Sequence, residues 1–208
     1  MTTTPAFPAA VYLIRHGEKV GDPADDGDGG PDLSIRGSAR AAALPSLFTA
    51  ASCAVAAGAA ATFTGTYASS TSVAQPRFAT PQRLIATKTS AHSNRPIETI
   101  SALAQALALP IHAGHDDEDY AHVAHAITSK PETYGGLVVL IAWHHGKLPD
   151  LALALGVPAE QVTAALGGAA KWPGDVFDWI WQITWDPTGA ATLTPGFQQL
   201  LFGDATRA

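Results

Sequence analysis

Two histidine–glycine pairs sit far apart in the chain: His16-Gly17 in "VYLIRHGEK" (11–19) and His145-Gly146 in "LIAWHHG" (140–146). A neutral imidazole can attack an electrophile or donate a hydrogen bond, and a neighbouring glycine lets backbone N–H groups approach an anion. Arg15 precedes the first pair, and Arg95 stands near the start of "NRPIETISALAQALAL" (94–109). A helix start carries unsatisfied N–H groups and partial positive charge, and an arginine adds a planar fork for two phosphate oxygens. Arg15, His16, Arg95 and His145 therefore make a candidate pocket for a phosphoryl group. His145 is favoured over His144 because it directly precedes glycine, as His16 does. Side chains alternate along a strand, so His144 is expected outside the phosphate shell, packed toward a neighbouring strand or touching substrate. Gly17 and Glu18 are further candidates for substrate contact.

The elements that must position these residues are legible in the pattern. "AVYLIR" (10–15) and "GLVVLIAW" (136–143) read as strands buried on both faces, as in a parallel sheet. "RLIAT" (83–87) reads as another strand. Each histidine motif then falls at a strand's carboxyl end, where open α/β sheets bind ligands. In 94–109, Ile97, Ile100, Leu103 and Leu107 recur at helical spacing, with Pro96 suited to the first helical position. Residues 33–48 look helical after Gly37, 119–129 forms another helix, and "LPDLALALG" and "PAEQVTAALG" add two more. Residues 176–194 read as two strands joined at Asp186–Gly189. The expectation is an α/β fold, a three-layer α/β/α sandwich around a mostly parallel sheet. It is expected to form one domain over 1–208, with flexible loops near 20–32 and 49–77.

The ordered set "LIRHGE", "NRPIET" and "HHG" resembles the histidine phosphatase superfamily, also called the phosphoglycerate-mutase-like family, from about residue 10 to 156. "LSIRGSARAAAL" is similar to that family's helix after the first motif, and "KWPGDVFDWIW" looks like a subgroup of small bacterial and fungal members. The resemblance implies a phosphoglycerate-mutase-like fold and two-step phosphoryl transfer without a cofactor or metal. His16 would become phosphohistidine, while Arg15, Arg95 and His145 would bind the equatorial oxygens. Water would then release inorganic phosphate from a small phosphorylated substrate. The family's proton donor is a carboxylate, and "HDDEDY" (115–120) offers Asp117 or Glu118, with Glu18 a further candidate. Gly146 stands where one branch of the family has an aspartate after the second histidine.

Other readings compete. His112, His115, Asp116, His122 and His125 cluster in one segment, and His122 and His125 are spaced to share a metal on a helix face. That would make a metal-dependent hydrolase but leaves the strand-end histidines unexplained. A mutase-like phosphotransferase and a non-catalytic phosphoryl-binding protein use the same pocket. A net charge of -6 with twelve Lys and Arg spread thinly argues against a nucleic-acid binder. The single cysteine, Cys53, excludes an internal disulfide and a Cys-rich zinc site. Residues 41–76 lack charge, yet Ala, Gly, Ser and Thr dominate them. They read as a helix to about Phe48 followed by a low-complexity loop, not a membrane span. The N-terminus lacks the basic and apolar stretches of a signal peptide, so a cytoplasmic protein is expected. The pattern does not define an oligomeric state.

Overall fold

A computed structural model describes residues 5–21, 30–50 and 76–204. The loops expected near 20–32 and 49–77 lie mostly outside them. The strands are β1 (Ala10–Arg15), β2 (Arg83–Thr87), β3 (Ile111–His115), β4 (Val138–Trp143), β5 (Trp179–Trp185) and β6 (Ala191–Phe197). They form one sheet in the order β3-β2-β4-β1-β5-β6. β3, β2, β4 and β1 run parallel, while β5 and β6 add an antiparallel hairpin beside β1. The expected α/β class and mostly parallel sheet are thus observed. β3 is a strand that the sequence pattern did not declare: "IHAGH" has few apolar residues because it is an edge strand and only half-buried.

The helices are α1 (Ile35–Ala43), α2 (Arg95–Leu107), α3 (Tyr120–Ser129), α4 (Pro131–Tyr134), α5 (Leu148–Ala154) and α6 (Ala159–Ala165). α1 begins two residues before Gly37 because Ser34 caps it, its side chain accepting from the Gly37 amide. α2 ends at Ala108, which takes the left-handed conformation of a helix stop.

Alternation along the strands divides the core in two. Tyr12, Ile14, Leu84, Leu140 and Ala142 face α1 and α2, where Phe48, Ile100 and Leu103 meet them. Val11, Leu13, Ile85, Val139, Ile141 and Trp143 face the other way, onto α3, α5, α6 and the aromatic cluster of Trp172, Trp179 and Trp181. Each large apolar side chain buried this way stabilises the fold by about 1.5–3 kcal/mol relative to exposure. β1 and β4 are buried on both faces, so they are central and their carboxyl ends open together at one edge of the sheet. Among the described residues no helix is long and apolar enough to cross a membrane.

Candidate active site

β1 and β4 pair in parallel with Arg15 opposite Trp143, and the His16 amide extends the ladder by donating to the Trp143 carbonyl at 3.1 Å. The next pair in that register is His16 and His144. Both continue the parity of the residues facing α1 and α2, and their rings meet edge-on with centroids 5.1 Å apart. Arg15 and His145 continue the opposite parity. The two adjacent histidines do leave the strand toward opposite faces, but the cavity straddles the sheet's end and receives both. It has a volume of about 390 Å³, and Arg15, His16, Arg95, Asp117, His144 and His145 line it. His144, expected as a packed or substrate-touching residue beyond the phosphate shell, lines the same cavity as His145, and strand register rather than the match of glycines makes it the neighbour of His16.

His16 is 3% exposed, and its Nδ1 lies 2.7 Å from the Gly17 carbonyl. A carbonyl only accepts, so Nδ1 carries the proton and Nε2 carries the lone pair. Burial, then the charge of Arg15, holds the His16 pKa well below the usual histidine value, opposed by the bond to Gly17. The imidazole is neutral at neutral pH, with its lone pair on Nε2. Burial followed by the charge of Arg95 lowers His144 to about 4. Burial followed by the charge of Arg15 lowers His145 to about 4. Burial and the nearby arginine charges push all three imidazoles in the same direction, toward the neutral form.

Arg95 enters from the first residue of α2 and also donates from Nη1 to the Gly30 carbonyl at 2.9 Å. Thr99, one turn on, ties the two motifs together. Its Oγ1 accepts from the Gly17 amide at 2.8 Å and donates to the Arg95 carbonyl at 2.7 Å. The Gly17 N–H is thus engaged by Thr99, which corrects its expected role of meeting an anion. Gly17 is small for another reason: a Cβ there would meet the Gly37 carbonyl and the Leu33 side chain at 3.1 Å. At Gly37 a Cβ would lie 2.3 Å from the Glu18 carbonyl. The two glycines let the first motif and α1 touch backbone to backbone.

Glu18 is directed elsewhere too. Arg40 Nη2 donates to its Oε1 at 2.6 Å and Arg36 Nε donates to it at 3.1 Å. Arg40 also grips Asp204, with Nη2 to Oδ1 at 2.6 Å. Burial pushes Glu18 up, but hydrogen bonds and charge from Arg40 outweigh it and hold the carboxylate below its ordinary value. Glu18 is a structural anion, which corrects its reading as a substrate contact or proton donor.

The acidic segment separates its two candidates. Asp117 begins a short 3₁₀ turn (Asp117–Asp119) beside β4, its carbonyl accepting from Trp143 Nε1 at 3.1 Å. Burial, then the charge of Glu118, raises the Asp117 carboxyl to about 6, partly offset by Lys147. Its buried Oδ1 has no hydrogen-bond partner among the described residues. Glu118 points to solvent and pairs with Lys147 at 2.7 Å, so it is not the one brought to the cavity.

Sequence reasoning missed Thr99, Ser93 and Lys19. Ser93 and Lys19 line the cavity, and the buried Ser93 Oγ has no hydrogen-bond partner among the described residues. The signal was thin: "TSAHSN" precedes Arg95, and a serine there reads equally well as loop chemistry. The histidine segment 112–125 is split between β3 and α3. His115 and His122 approach with ring centroids 5.2 Å apart. Among the described residues no group of three or more His, Cys, Asp or Glu is placed to hold a metal ion.

No family model matches the chain, and no curated protein matches it. Among solved structures, SixA from Agrobacterium tumefaciens is similar at 18% identity, covering 90% of this chain and 96% of that one with a TM-score of 0.47. A mycobacterial glucosyl-3-phosphoglycerate phosphatase is similar at 14% identity, covering 91% and 97% with a TM-score of 0.49. A phosphoglycerate mutase from Bacillus anthracis is similar at 13% identity, covering 91% and 93% with a TM-score of 0.44. The reading of the chemistry rests on the residues of the cavity.

Proposed function

We propose that the chain is a phosphoric monoester hydrolase of the histidine phosphatase superfamily. It acts in the cytoplasm on a small phosphorylated substrate and releases inorganic phosphate. The observation that carries this reading is His16: buried, neutral, with Nδ1 engaged by the Gly17 carbonyl, and set in one cavity with Arg15 and Arg95. Nε2 attacks phosphorus as the bond to the leaving oxygen breaks, giving phosphohistidine. Arg15, Arg95, His144 and His145 meet the charge on the equatorial oxygens, which is where most of the catalysis lies in phosphoryl transfer. Asp117, mostly protonated below about pH 6, gives its proton to the leaving oxygen. Its carboxylate then takes a proton from the water that attacks phosphohistidine, and phosphate leaves with His16 restored.

The test is trapping. After brief reaction with p-nitrophenyl phosphate or another phosphomonoester and a quench that avoids acid, His16 should carry phosphate. His16→Ala should lower turnover by about a thousandfold or more, since the covalent path is removed. Turnover by the wild type without any acid-labile phosphoenzyme would rule out the mechanism.

A further inference from the structure

The segment "KWPGDVF" (171–177) has no part in the chemistry above, yet it closes on the most buried cation of the site. Arg15 is 1% exposed. Its Nη1 donates to the carbonyls of Gly174 and Val176, and its Cζ lies 3.5 Å from the centroid of the Phe177 ring. The Phe177 ring lies 6.2 Å from that of His16, so one side chain borders both the cation and the nucleophile.

The segment is itself fixed from behind. Trp172 Nε1 donates to the Val176 carbonyl at 2.9 Å, so that oxygen serves both Trp172 and Arg15. The Trp172 ring packs on Trp179 and Trp181, with centroids 5.1 and 4.8 Å away. Gln198 Nε2, from just beyond β6, donates to the Phe177 carbonyl at 3.0 Å. The β5–β6 hairpin thus holds a collar, and the collar holds Arg15.

We propose that Phe177, with the Gly174 and Val176 carbonyls, is the positioning element that sets the plane of the Arg15 guanidinium for the phosphoryl group. The inference rests on the reading of Arg15 as a phosphoryl ligand. Its physical basis is the shape of the cation. Stacking uses the flat face of a guanidinium and hydrogen bonds use its edge, so the two do not compete. A ring beneath the face removes rotation out of the plane, and two carbonyls on one nitrogen remove rotation within it. The long side chain then meets the developing charge without first losing rotamer freedom.

A double-mutant cycle tests this with p-nitrophenyl phosphate turnover and vanadate affinity, each variant checked by thermal unfolding. Phe177→Leu should lower both readouts about tenfold in the wild-type background. In an Arg15→Met background it should change neither by more than about twofold, because the residue through which it acts is gone. Phe177→Tyr, which keeps the ring, should recover most of the lost vanadate affinity. Equal losses from Phe177→Leu in both backgrounds, or no loss in either, would overturn the proposal. If Phe177→Leu does not fold, Phe177→Met carries the same cycle with a smaller change in volume. Arg15→Met alone reports on the underlying reading: wild-type turnover and vanadate affinity in that variant would overturn Arg15 as a phosphoryl ligand, whatever Phe177 does.

Discussion

At the scale of single residues, the register of β1 and β4 changes which histidine matters most. His144 is the in-register neighbour of His16 and shares its side of the sheet with Arg95. His144→Ala is therefore expected to lower turnover about a hundredfold, the scale of one lost transition-state donor. His145→Ala, on the Arg15 side, should also reduce it. Turnover within tenfold of wild type for His144→Ala would overturn the register argument. Asp117 makes two linked expectations. As an acid with a pKa of about 6, its protonated fraction falls above that pH. A rate limited by the first transfer should decline with rising pH above about 6, and Asp117→Asn should abolish that limb in a pH–rate profile. The sign for stability is separate. A carboxyl whose folded pKa is raised holds its proton better when folded, so its ionisation destabilises the fold as pH rises through that window. Asp117→Asn should therefore raise the melting temperature at neutral pH while lowering turnover.

At the scale of elements, the site depends on joints between pieces distant in sequence. Thr99 bonds the first motif to the opening turn of α2, and Arg40 binds both Glu18 and Asp204 from α1. Thr99→Val leaves the Gly17 amide without its acceptor in a buried place. A loss of about 1–3 kcal/mol in stability is expected for such a group, and chemical denaturation measures it. Removing one member of a buried ion pair is costlier than removing the pair, because a charge stays behind. Arg40→Met should lower the denaturation midpoint more than Thr99→Val does. Glu18→Gln should lower the melting temperature while leaving the KM for p-nitrophenyl phosphate within about twofold, the opposite of what a substrate contact would give.

For the whole molecule, the titrating groups predict sensitivity to acid. His144 and His145 are lowered to about 4, and His16 lies well below its ordinary value. As pH falls from about 6.5, the unfolded chain takes up protons that the folded chain refuses, so stability falls. Glu18 and Asp204 are held below their ordinary values against burial by Arg40. The stability they contribute is present above the unfolded carboxylate range and is lost as pH falls through their folded values. Asp117 opposes this trend between the ordinary carboxylate value and about 6, and Glu98, also raised by burial, opposes it too, against the three histidines and the two carboxylates held by Arg40. Melting temperature followed from pH 8 to 4 should therefore decline. On the proposed reading of the cavity as a phosphoryl site, vanadate should raise it at fixed pH by mass action.

What the sequence determined by itself is what depends on local pattern. Double-sided apolar runs declared β1 and β4 as central strands, helical spacing declared α2, and the position of each His-Gly pair and of Arg95 pointed to the edge of the sheet where one cavity is lined by His16, His145 and Arg95. β3 escaped because an edge strand need not be apolar. Only the tertiary structure decided how the motifs engage one another. The partner of His16 is set by strand register, a pairing across more than a hundred residues that no local repeat encodes. Glu18 was claimed by Arg40 and the Gly17 amide by Thr99, because the folded chain brings α1 and α2 against the first motif. Asp117 was separated from Glu118 by burial, since two adjacent carboxylates are alike until one is desolvated and the other meets a lysine in solvent. Residue types limit what chemistry is possible, but burial and distance set pKa values and choose partners, and both exist only once the chain has folded.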